Sequence, residues 1–201
     1  ATSYYVEMVP DQGRLPVFAL APSAGDVDIL VAAEMMESGR ALMRGLVTPD
    51  RTTMITSTHR MLAMSEKTVP GNGMTDSRPV IEQGQAQSKR YIAFDMEQIA
   101  VDSGSVISAS LFGALAGSAA LPFSRESFEE TIRASSRGVE PSLKAFDVAF
   151  STAREAQPRF EDTTEKTPVP QYAVRGPDLK QRNWQQLMAR CAELPPVVQT
   201  M

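Results

Sequence analysis

One cysteine, Cys191, and one histidine, His59, are all that 201 residues supply of the usual metal ligands. Iron–sulfur clusters as a rule need four thiolates and structural zinc needs four Cys or His ligands, so this chain alone builds neither. An internal disulfide is excluded by the same count. A single cysteine suits a reducing compartment, and the first residues lack the basic and apolar regions of a secretion signal, so the expected location is cytoplasmic. Basic runs are missing too: 20 Lys plus Arg stand against 24 Asp plus Glu, a formal net charge of -4 with a pI near 5.1. The electrostatic footprint that nucleic acid or an anionic membrane surface requires is therefore absent. The 12 glycines and 14 prolines fall into no repeat period. Nor is there a GxxxxGK[ST], GxSxG, HExxH or complete GxGxxG motif.

What is present is ordinary for a globular chain: 42% hydrophobic and 22% charged residues, in a length that can bury a full core as one large domain or two small ones. Thr2 to Val9 is rich in β-branched and aromatic residues and predicts a strand. Two apolar runs, PVFAL and VDILVAA, between Pro16 and Ala33 predict buried strands. Glu34 to Leu46 then spaces Met35, Met36, Leu42, Met43 and Leu46 on one helical face. Arg51 to Thr58 and Tyr91 to Phe94 are strand-like, with a Gly-Asn-Gly turn at 71–73 and a polar helix near Val80 to Lys89 between them. Strand and helix alternate, as in α/β folds.

Ser105 to Leu121 is the most apolar stretch, with Gly113 and Gly117 in GxxxG spacing. Its serines, small residues and marginal length favour a tightly packed core helix over a membrane span. Ser124 is placed to cap the next helix, with Glu126, Glu129 and Glu130 near the favourable end of its dipole. A last helix near Pro141 to Ala153 aligns Leu143, Phe146, Phe150 and Ala153. Gln157 to Asp178 is polar, holds four prolines and predicts a linker. Beyond it, residues 179–201 resume a helix that leads to or packs on a further domain, with Trp184, Leu187, Met188 and Cys191 on one stripe that calls for burial.

Local chemistry is sparse. Ser57-Thr58-His59-Arg60 sets hydroxyls beside an imidazole, but adjacent strand residues point to opposite faces, so Thr58 and His59 are poorly placed to act on one another. Arg51 and Arg60 bracket the strand and offer an anion two cations, or are simply its solvated ends. The eleven methionines suit core or interface better than cofactor contact.

The string from Gly25 to Arg60, GDVDILVAAEMMESGRALMRGLVTPDRTTMITSTHR, resembles the gamma component of 2-oxoacid:ferredoxin oxidoreductases. Within that family it is most similar to the beta subunit of the indolepyruvate enzyme in its bacterial fused form. EKTVPGNGMTDSRPV at 66–80, the small-residue helix running into LPFSRESFEETIR at 111–133, and GVEPSLKAFDVAF at 138–150 fit in order. Pro141 and Ser142 depart from the Asn expected in the last of these. The resemblance covers about residues 2–156 and implies a three-layer α/β/α sandwich with a mixed or mostly parallel sheet, whose opening strand, glycine loop and helix would precede Ala1.

The resemblance also implies a role in CoA-dependent oxidative decarboxylation of an aryl 2-oxoacid to an acyl-CoA, with electrons passing to ferredoxin. Thiamine diphosphate and the iron–sulfur clusters are then expected on a large partner subunit, CoA is a co-substrate, and no cofactor is expected in this chain. On this view Glu34, Arg44, Thr58, His59 and Arg60 are candidates for facing substrate or partner, without a catalytic assignment. Two other readings stay open: a stand-alone nucleotide or CoA binding module, and a hydrolase using Ser57 or Thr58 with His59. The hydrolase lacks a nameable acidic orienter or oxyanion loop.

Overall fold

The computed structural model describes residues 3–11, 13, 15–62, 64–68, 76–135, 137–155 and 177–193. The chain divides into two compact units, residues 1–159 and 160–201. In the first, the order is β1 (Ile29–Ala32), α1 (Met35–Met43), β2 (Thr53–Ser57), α2 (Met64–Thr68), α3 (Arg78–Gln87), β3 (Arg90–Phe94), α4 (Met96–Ser103), α5 (Ile107–Gly117), α6 (Arg125–Ala134) and α7 (Val139–Glu155). The second unit holds α8 (Asp178–Ala192).

Among the described residues the sheet has three strands in the order β1-β2-β3, all parallel. The register sets Ile55 opposite Val31 and Ile92, and Met54 opposite Leu30 and Tyr91. Successive residues of a strand point to opposite faces, so Ile29, Ile55, Ile92 and Phe94 share one side. These four pack with Met96 of α4, Ala114, Leu111 and Leu115 of α5 and Ala153 of α7. On the other side the Tyr91 ring lies against α3 at Gly84, and α3 in turn packs on α1 through Val80 and Gly39. Helices therefore cover both faces of an α/β fold, and Met54, Ile55 and Ile92 are fully buried between them.

The helical half is held by backbone proximity. A Cβ at Gly113 would meet the Phe146 carbonyl oxygen at 2.3 Å, and one at Gly117 would meet that of Phe150 at 2.4 Å. GxxxG spacing here is a seam between α5 and α7. Phe112, Phe128 and Phe146 fill the space toward α6, with the first two rings edge to face at 4.9 Å. Ser124 caps α6 as expected, its hydroxyl accepting from Ser127 N–H. No single helix among the described residues is long and apolar enough to cross a membrane.

Three expectations are corrected. The runs at Thr2 to Val9 and PVFAL form no strand among the described residues; Tyr4, Val6, Leu15, Val17 and Leu20 are almost wholly exposed. β-propensity needs a ladder partner and a covered face, and these segments have neither. Among the described residues the Glu7 carboxylate ties the two runs by accepting from Ala19 N–H at 2.8 Å, and within its own run it accepts from the Tyr5 hydroxyl. Next, α4 emerges where no helix was anticipated, started by the Asp95 carboxylate on Gln98 N–H and stopped at left-handed Gly104. Finally, the expected burial of the α8 stripe is not found: Trp184, Leu187 and Met188 are 46%, 48% and 49% exposed. The turn at 71–73, most of the 157–178 segment and the Cys191 side chain lie outside the described residues.

Candidate functional site at the carboxyl edge of the sheet

In a parallel sheet flanked by helices, ligands bind outside the carboxyl ends of the strands, where loops lead into helix N-termini. Here that edge is formed by Ala32, Ser57 and Phe94 and by the starts of α1 and α4. Four of the five residues singled out in the sequence meet there.

Glu34 is the N-cap of α1. Its carboxylate accepts from Met36 N–H at 2.8 Å and Glu37 N–H at 2.7 Å, and from Met61 N–H at 3.4 Å in the loop after β2. One buried side chain thus starts a helix and ties down a neighbouring loop. Thr58 extends the ladder beyond β2 by donating its N–H to Phe94 O at 2.9 Å, and the His59 carbonyl accepts from Met35 N–H at 3.0 Å. The backbone at 58–59 is clamped between β3 and α1. Arg60 pairs with Glu66 of α2, with only 14% and 3% of the two side chains exposed, and its Nε is buried without a hydrogen-bond partner among the described residues. Arg44 stands apart as the exposed C-cap of α1, at the helix end remote from Glu34. Arg51, at the opposite end of β2, is engaged by Asp26 and by Asp28 at 2.7 Å.

Ser57 and His59 form the pair that adjacency had obscured. Residues two apart on an extended segment share a side. Ser57 Oγ lies 2.9 Å from His59 Nδ1 and accepts from Met96 N–H, the first of α4, at 3.0 Å. Alternation from Ser57 to His59 was a readable signal for this contact. Nothing local announced Glu66, which lies six residues beyond Arg60 and is brought to it by the turn into α2.

This geometry argues against the hydrolase reading and against a phosphate site at this edge. Ser57 is fully buried with its oxygen committed to a helix N-terminus, so it is out of reach of a substrate carbonyl. Phosphate recognition needs free N–H groups at a helix start. At this edge the first N–H groups of α1 and α4 already bind Glu34, Asp95 and Ser57, and an incoming phosphate would meet two carboxylates. Nor do the described residues gather three His, Cys, Asp or Glu side chains close enough to hold a metal ion. The donor set does not fit an iron–sulfur cluster.

A family model for pyruvate ferredoxin/flavodoxin oxidoreductase matches residues 1–152. The chain belongs to this family. Over 70 residues it is 37% identical to the indolepyruvate oxidoreductase subunit IorB of Pyrococcus horikoshii. That stretch is 33% of this chain and 35% of the relative, so the match spans about a third of the relative's length. No solved structure matches. Family membership agrees with the resemblance carried by residues 25–60.

Proposed function

We propose that the chain is the accessory, gamma-type component of a cytoplasmic, thiamine-dependent 2-oxoacid:ferredoxin oxidoreductase, acting on indolepyruvate or another aryl pyruvate. The observation that carries this reading is the family match over residues 1–152. Similarity to an indolepyruvate oxidoreductase subunit supports the aryl substrate. A chain with one cysteine leaves the clusters, and with them the ferredoxin contact, to a large partner subunit. Thiamine diphosphate, held by that partner, supplies the electron sink for decarboxylation, and CoA receives the acyl group.

This chain's own contribution is a rigid polar wall. Glu34, Thr58, His59 and Arg60 are fixed by hydrogen bonds to three elements, so they offer substrate or partner a surface that costs little to order. Covering the reacting centre in this way excludes water from it. In this reading residues 1–156 are the oxidoreductase domain, 157–178 a linker, and 179–201 a segment whose helix leads to or packs on a further domain.

The test is co-purification of the full-length protein with its thiamine-binding partner, followed by oxoacid- and CoA-dependent reduction of a viologen acceptor. Turnover that needs both components is the expected result. Full turnover by the partner alone would overturn the accessory role and favour a separate binding module.

A further inference from the structure

We propose that Ser57 is a positioning residue that holds the uncharged His59 ring as its Nε2–H tautomer, so that the carboxyl edge of the sheet presents a neutral hydrogen-bond donor to an oxygen of the 2-oxoacid. The ligand in this inference rests on the function proposed above; the tautomer does not.

The hydroxyl decides the tautomer. Ser57 is fully buried, and the polar partners of its Oγ are Met96 N–H at 3.0 Å and His59 Nδ1 at 2.9 Å. A backbone N–H only donates, so Met96 occupies a lone pair of Oγ. Among the described residues the Ser57 proton then has a single acceptor within reach, the bare Nδ1, and leaving a buried hydroxyl proton unmatched is costly. With Nδ1 accepting, the ring proton sits on Nε2. His59 is partly exposed, and Nε2 has no partner among the described residues. Its backbone is pinned through Met35 N–H, and that of the preceding residue through Phe94 O, so the ring is carried on a fixed base. A buried hydroxyl thus dictates what a partly exposed ring offers.

His59 is the one histidine of the chain, so 15N-histidine labelling reports a single imidazole, with assignment checked by loss of the signals in His59→Gln. At about pH 8.5, above the ordinary imidazole range, the expected spectrum has Nδ1 in the unprotonated range and Nε2 in the protonated range. Ser57→Ala releases the ring to the mixture of tautomers an unrestrained imidazole adopts, drawing the two resonances together, and near-isosteric Ser57→Cys draws them part of the way. A protonated Nδ1 in the wild-type protein overturns the inference without any variant. So do unchanged resonances in a folded Ser57→Ala protein.

In the assembled complex, His59→Phe removes the donor and should raise KM for phenylpyruvate by ~3- to 10-fold, the value of one neutral hydrogen bond, with a smaller change in kcat, while Ser57→Ala, which leaves part of the ring population with its proton on Nε2, should raise it by less. An unchanged KM in a folded His59→Phe complex overturns the substrate contact. A wild-type complex that turns over no 2-oxoacid overturns the functional reading, and the contact with it, while the spectrum alone still decides the tautomer.

Discussion

The backbone of Phe146 closes directly over Gly113, leaving 2.3 Å between the Phe146 carbonyl oxygen and the place a Cβ would occupy. Because the obstacle is main chain, no rotamer change relieves it. Gly113→Ala gains about 1 kcal/mol of helix propensity but must push α5 away from α7, and overpacking of this kind costs about 1–3 kcal/mol or more. The expected net effect is destabilisation of about 2 kcal/mol, read as a lower urea midpoint with an unchanged slope. An alanine variant as stable as the wild type would refute the seam.

Tyr91 predicts the opposite sign. Its ring packs against α3 at Gly84, and its hydroxyl is buried without a hydrogen-bond partner among the described residues. Burial also pushes the phenol's pKa up. Tyr91→Phe keeps the packing and removes the unsatisfied group, so stability should rise by about 1 kcal/mol. A fall in Tm would show that the hydroxyl has a partner in solution.

Glu34 joins two functions that separate variants can resolve. Glu34→Ala removes the α1 cap and should cost about 1 kcal/mol. It also frees the Met61 amide, so hydrogen exchange should quicken at Met36, Glu37 and Met61 together. Quickening confined to the helix would break the proposed link between the cap and the 58–61 loop.

Glu129 makes acid stability depend on one surface cluster. Its carboxylate receives Arg125 at 2.7 Å and Arg133 at 2.8 Å, and these hydrogen bonds lower its pKa. A depressed folded-state value contributes stability above the ordinary glutamate range, and that stability is lost as pH falls through the lowered value. The pair is partly solvated, so the effect is small. Urea midpoints measured from neutral pH into the acid range should fall less steeply for Glu129→Gln than for wild type, and parallel curves would contradict the assignment.

Much of the helical half was legible from neighbours in sequence. Ser124 before a run of glutamates, Gly113 and Gly117 at a spacing of four, and Phe146 and Phe150 on one stripe each act within a turn or two of helix, where the periodicity of side chains is set by the backbone itself. The N-terminal runs show the limit of such reasoning. Tyr4, Val6 and Val17 have strand propensity as strong as that of β2, yet a strand exists only through the ladder it joins, and ladder partners are remote in sequence.

The site divides along the same line. Composition by itself set one cysteine against the four thiolates an iron–sulfur cluster as a rule needs, and residues 25–60 carried the family resemblance. Tertiary structure alone decided that Glu34, Thr58, His59 and Arg60 share one edge while Arg44 does not. It also decided that Ser57 lies buried beneath His59. The reason is range: Ser57 meets Met96 across 39 residues of chain, a closeness that the packing of the sheet against α4 creates and no local pattern encodes.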